Sequence, residues 1–216
     1  MNAVDETRSS PWIPMRLIEL AEFEVWTRDR DLIRSPDGRC FEFASPAHES
    51  VWQWPDFDNE VYNPPLLARY VADNVEAAML GQPGGAYLFP TGGTWNRQSF
   101  VSEDDPVRNV VLEKCGIEFE FAGAVYFEAE EFDSLVAVIF ARGFLFPDFT
   151  DGGDDLYLYP AHGDLYMWFD DDEMVGAFSR STETLKQFDA HLERSDWHAR
   201  CRHMMYLADE EEPGSE

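Results

Sequence analysis

The stretch that decides the fold is DDLYLYPAHGDLYMWFDDDEMVGAF, Asp154 to Phe178. Within DLYLYP, Leu156 and Leu158 point one way and Tyr157 and Tyr159 the other. DLYMWF repeats the pattern, with Leu165, Met167 and Phe169 opposed to Tyr166 and Trp168. Alternation at every residue belongs to a strand, whose successive side chains leave opposite faces. The turn PAHG, Pro160 to Gly163, joins the two into a hairpin. MVGAF, Met174 to Phe178, adds a third strand after the acidic connection DDDE. Paired antiparallel, these strands present an apolar face for a helix to cover and a second face of three tyrosines and a tryptophan.

Working outward, three segments carry the helical period. PPLLARYVADNVEAAMLG opens on proline, repeats apolar residues at Leu67, Val71, Val75 and Ala78, and is followed by Gly81. EAEEFDSLVAVIFARG places Phe132, Leu135, Val136, Ile139 and Phe140 on one stripe, with acids at its start and Arg142 at its end. STETLKQFDAHLERSDW aligns Leu185, Phe188 and Leu192. Strands are expected in AYLFP and around Phe119 and Phe121, which alternate with Glu118 and Glu120. An opening antiparallel pair, Met15 to Trp26 with Arg39 to Ala44, is expected around the turn SPDG. Pro46 to Pro65 shows no period and reads as an irregular loop.

GGAYLFPTGGTW (Gly84 to Trp95) and GGDDLYLYPAHGDLYMW (Gly152 to Trp168) echo each other, each following a helix, which suggests two related helix–hairpin units. The expectation is an α+β protein: a mostly antiparallel sheet with two to three helices packed on one face. Residues 1–10 form a flexible leader and 11–207 a single domain, with a subdivision near 82–127 the alternative. Residues 208–216 form a disordered acidic tail.

Charge bounds the function classes. The 216 residues carry a formal net charge of −27, unevenly placed: residues 1–100 hold 8 basic and 15 acidic side chains, and residues 101–216 hold 8 and 28. Such a field repels nucleic acid and anionic lipid and steers cationic partners inward. No apolar run reaches the roughly 18 residues of a membrane helix, and the start of the chain lacks the basic and apolar regions of a secretory peptide, so a cytoplasmic protein is expected. The three cysteines, Cys40, Cys115 and Cys201, suit reduced thiols rather than a disulfide framework.

Chemistry-bearing patterns are sparse. DFTDGGDD lacks the acid–x–acid spacing and distal glutamate of a calcium loop. His198, Cys201 and His203 in DWHARCRH have no second ligand pair at zinc-finger spacing. PTGGT lacks the lysine of a phosphate loop, and no GxSxG is present. No catalytic residue, cofactor or metal is assigned.

What remains is the hairpin. Its tyrosines and Trp168 fill a half-exposed sheet face or lie beneath the N-terminal segment in one reading. In the other, Tyr157, Tyr159, Tyr166 and Trp168 form a binding floor. Asp170, Asp171, Asp172 and Glu173 rim one end, and Asp148, Asp151, Asp154 and Asp155 the other, a dock for a basic protein.

Leu156 to Phe188, where hairpin, acidic turn, third strand and closing helix follow in order, resembles the small acidic immunity proteins of bacterial polymorphic and contact-dependent toxin systems. The resemblance implies tight masking of a toxin without catalysis, so no residue carries over as catalytic. The function expected is a non-catalytic acidic inhibitor of a basic toxin such as a nuclease. Two alternatives stand: a hydrolase or transferase with a carboxylate and histidine pocket near His162, and a structural or phage-encoded interaction protein. The sequence leaves oligomeric state open.

Overall fold

The computed structural model describes residues 15–53, 64–96, 120–133, 135–136, 139, 155–170, 174–195, 198 and 201–206, with the backbone alone at 64–67, 96, 120, 202 and 204–206. In chain order the elements are β1 (Arg16–Glu19), α1 (Leu20–Arg28), β2 (Leu32–Arg34), β3 (Phe41–Phe43), β4 (His48–Gln53) and α2 (Pro64–Met79). These are followed by β5 (Ala86–Pro90), β6 (Thr94–Asn96), β7 (Glu120–Phe127), β8 (Leu156–Pro160), β9 (Leu165–Phe169), β10 (Met174–Ser179), α3 (Thr182–Leu192) and β11 (Arg202–Tyr206).

The main sheet runs β1-β7-β5-β8-β9-β10-β4-β11, with β6 also on β7, and every pairing among the described residues is antiparallel. The protein is therefore α+β. At the centre, β8, β9 and β10 form the expected meander, with Tyr157 opposite Trp168 and Phe178 opposite Tyr166. The Asp170 N–H donates to the Met174 carbonyl at 3.0 Å and closes the second hairpin.

The two faces of the meander sort as alternation dictates. Leu156, Leu158, Leu165, Met167 and Phe169 join Val71 and Val75 of α2 and Leu185, Phe188 and Leu192 of α3 in one apolar cluster. Leu135 and Ile139, both helical and buried, complete it. Ser181 caps α3 by accepting from the Thr184 N–H at 3.2 Å. Past α2, Gly81 takes φ of +69°, the left-handed conformation that ends a helix.

The opposite face carries its own cover. Phe23 of α1, Leu32 of β2 and Phe41 of β3 pack on Phe89, Tyr157, Tyr159 and Tyr166 in a second cluster. Helices thus lie on both faces, α1 on one and the others on the second, because the sheet has enough apolar surface on each side to need burial.

Four expectations require correction. Leu20–Arg28 is helical, so SPDG is flanked by β2 and β3, not by one long strand. Val25 at 53 % exposure beside fully buried Phe23 rules out a strand, which would turn both to one face. His48–Gln53, read as loop, is an inner strand, because its alternating Ser50 and Trp52 find partners on α3. Arg202–Tyr206 adds an unexpected edge strand. The echo is half present: β5 and β8 do pair with each other, Ala86 against Pro160, but β5 and β6 form no hairpin and both lie along β7. The leader at 1–10, the acidic tail at 208–216 and the Phe119 alternation lie outside the described residues. Among the described residues no helix is long and apolar enough to cross a membrane.

Candidate functional site

The aromatic floor is a covered one over most of its area. Tyr157, Tyr159 and Tyr166 are 9 %, 1 % and 5 % exposed. The docking reading is corrected for the three tyrosines, which lie beneath the N-terminal segment as the other reading had it, while Trp168 stays partly exposed. Tyr159 shows why. Its hydroxyl accepts from the Phe41 N–H and donates to the Phe41 carbonyl, both at 3.0 Å, so the polar tip of a buried ring takes the place of a strand neighbour for β3. Phe23 meets Phe41, Phe89 and Tyr159 edge-on or stacked at 5.2–5.6 Å and fills the space beneath α1.

The cover stops short of β10. Between β3 with the following chain, Ala44 to Ala47, and the β9–β10 face lies an open groove of about 660 Å³. Trp168 and Phe178 supply its floor together with the edges of Tyr157 and Tyr166, and Glu42, Asp155 and Asp170 supply carboxylates. No Lys, Arg or His lines it among the described residues.

Gly176 sets the position of Trp168. A Cβ there would meet the indole Nε1 at 2.0 Å, so the ring lies across a strand position that only glycine leaves vacant. From that seat the indole N–H side reaches Glu49 on β4, whose carboxyl titrates above its ordinary value because burial disfavours the charged form, an effect the Trp168 contact opposes. Phe178 stacks on Tyr166 with centroids 4.8 Å apart, and Phe43 tilts against Tyr166 at 5.3 Å.

At one end Asp155 pairs with Arg39 at 3.3 Å and accepts weakly from the Tyr157 hydroxyl at 3.5 Å. Cys40 also lines the groove; burial pushes its thiol up to about 11, and the neighbouring Glu42 carboxylate acts in the same direction. A thiol raised this far is largely protonated near neutral pH.

Of the acids singled out in the sequence, the groove brings together Asp155 and Asp170. Asp151, Asp154, Asp171, Asp172 and Glu173 lie outside the described residues, as does Asp148. Glu42, Phe43, Glu49 and Phe178 were not singled out. A sequence signal for the Trp168 seat is Gly176, a glycine inside an apolar strand, which lies opposite Trp168.

Two other clusters hold chemistry-bearing residue types. On the far side of the sheet, Ser50, His203 and Asp189 come together with Trp52. Ser50 Oγ donates to Asp189 Oδ1 at 2.6 Å and lies 3.0 Å from His203 Nε2, and Trp52 Nε1 donates to the same Oδ1 at 2.9 Å. A hydrolytic triad needs the acid on the other imidazole nitrogen and an accessible hydroxyl. Here Asp189 sits 3.4 Å from the same Nε2, and Ser50 is fully buried, so the group clamps α3 to β4 and β11.

His162 is exposed in its turn, beside a cleft of about 70 Å³ lined by Gln82, Thr184 and Gln187 with no carboxylate. No group of three or more His, Cys, Asp or Glu able to hold a metal occurs among the described residues.

No family model, curated protein or solved structure matches this chain.

Proposed function

We propose that the protein is a non-catalytic acidic binding protein that neutralises a basic protein partner, an immunity-type inhibitor of a bacterial toxin such as a nuclease acting in the cytoplasm. The observation that carries this reading is the groove: an aromatic floor with carboxylates around it and no basic lining residue among the described residues, on a chain of net charge −27. A cationic segment entering it trades solvent for ring faces and carboxylates, while the long-range field raises its encounter rate.

The contact surface differs from the bare face expected at first. Trp168, Phe178, Glu42, Asp155 and Asp170 form it, with Asp171 and Asp172 next to Asp170 in sequence. The test is co-expression with the basic product of the neighbouring gene. A stoichiometric complex in which that product is inactive is expected. The pair Glu42→Lys and Asp170→Lys should slow association about tenfold at low salt, with the loss shrinking at high salt. Association that ignores both reversals in low salt overturns the proposal.

A further inference from the structure

The protein already shows how this face holds a guanidinium. Arg16 lies over the Tyr126 ring at 4.5 Å and reaches Glu128 at 3.5 Å. Arg180 lies over Phe43 at 4.9 Å and pairs with Asp31 at 3.0 Å. Arg30 lies over Trp26 at 4.6 Å and donates to the Ala161 carbonyl. In each case an arginine covers a ring of the second cluster and also bonds an oxygen. The groove offers the same pairing, Trp168 and Phe178 with Glu42 and Asp170, and no arginine stands among its described lining residues.

Resting on the docking reading above, we infer that the groove selects arginine: the partner enters as a short segment whose guanidinium lies on Trp168 and Phe178 and is gripped by Glu42 and Asp170. A guanidinium is planar, weakly hydrated and forked, so it stacks on a ring and bonds a carboxylate at the same time. A lysine ammonium is a compact, strongly hydrated charge that gains from the carboxylates but little from the flat floor. Volume argues for a segment over a lone ion: about 660 Å³ lies in the range of sites that take ligands of many atoms. The Arg39–Asp155 pair bounds one end of the groove.

The test titrates the full chain at low salt with two extended Gly/Ser peptides of equal charge, one bearing arginines and the other lysines at the same positions. The arginine peptide should bind about tenfold tighter. Trp168→Leu should erase that preference and leave the weaker charge-driven binding, and Glu42→Gln with Asp170→Asn should weaken both peptides. Circular dichroism matching the parent confirms that each variant folds. Equal affinities that still depend on Glu42 and Asp170 overturn arginine selection and leave the acidic docking site standing. A preference that survives Trp168→Leu also overturns it, since the arginine then sits elsewhere. If neither peptide binds, both proposals fall.

Discussion

Trp168 lies flat only because residue 176 has no side chain. Gly176→Ala drives a methyl into the indole, and overpacking of this kind costs about 1–3 kcal/mol. Thermal denaturation should show the lower midpoint, and the ring should become more accessible to quenchers. Asp189 is a second position where one atom serves several partners. Replacing it by alanine leaves the buried Trp52 N–H and Ser50 hydroxyl without their acceptor, a loss of about 2–4 kcal/mol measurable by urea unfolding. His198, packed edge-on to Trp52 and 4.0 Å from Asp73, titrates near about 4 instead of 6.5 because burial disfavours the imidazolium. Between those two values the unfolded chain binds more protons than the folded one, so stability rises with pH across the window. Acidification from 6.5 toward 4 should remove up to about 1.4 kcal/mol per unit, and His198→Phe should flatten that slope in urea unfolding followed against pH.

At the scale of elements, the β8–β9–β10 meander was legible because alternation is a local code: Leu156, Leu158, Met167 and Phe169 need only their own neighbours to declare a face. The same held for α3, whose stripe and Ser181 cap lie within one short segment. The cover was not legible. In Leu20–Arg28 the run Glu22, Phe23, Glu24, Val25 alternates like a strand, while Leu20, Phe23 and Thr27 keep helical spacing; the choice is made by Phe23 reaching Phe89 and Tyr159 far along the chain. β4 was hidden for a related reason, since burying Ser50 depends on Asp189, 139 residues away. The groove inherits both uncertainties: Glu42 and Phe43 line it only because Tyr159 docks β3. Removing the anchor of α1 tests the cover as a unit. Phe23→Ala should cost about 3–5 kcal/mol and expose Tyr159 to solvent, read as faster hydrogen exchange at the Phe41 amide.

At the scale of the molecule, a formal charge of −27 works against compactness even as it recruits cations. Salt should therefore stabilise the fold: as the screening length falls from about 30 Å at 0.01 M to about 8 Å at 0.15 M, the melting midpoint should rise by several degrees. A midpoint that falls with salt would place attractive pairs such as Arg180–Asp31 ahead of net repulsion. The proposed docking should weaken along the same salt axis, so stability and docking should move in opposite directions. The most direct measurement of the docking claim follows the Trp168 indole N–H resonance, assigned by its loss in Trp168→Phe, during titration with an arginine-bearing peptide. The account predicts that this resonance and the Asp170 amide shift together at low salt and return at high salt. Shifts confined to other acidic residues, with Trp168 unmoved, would contradict it.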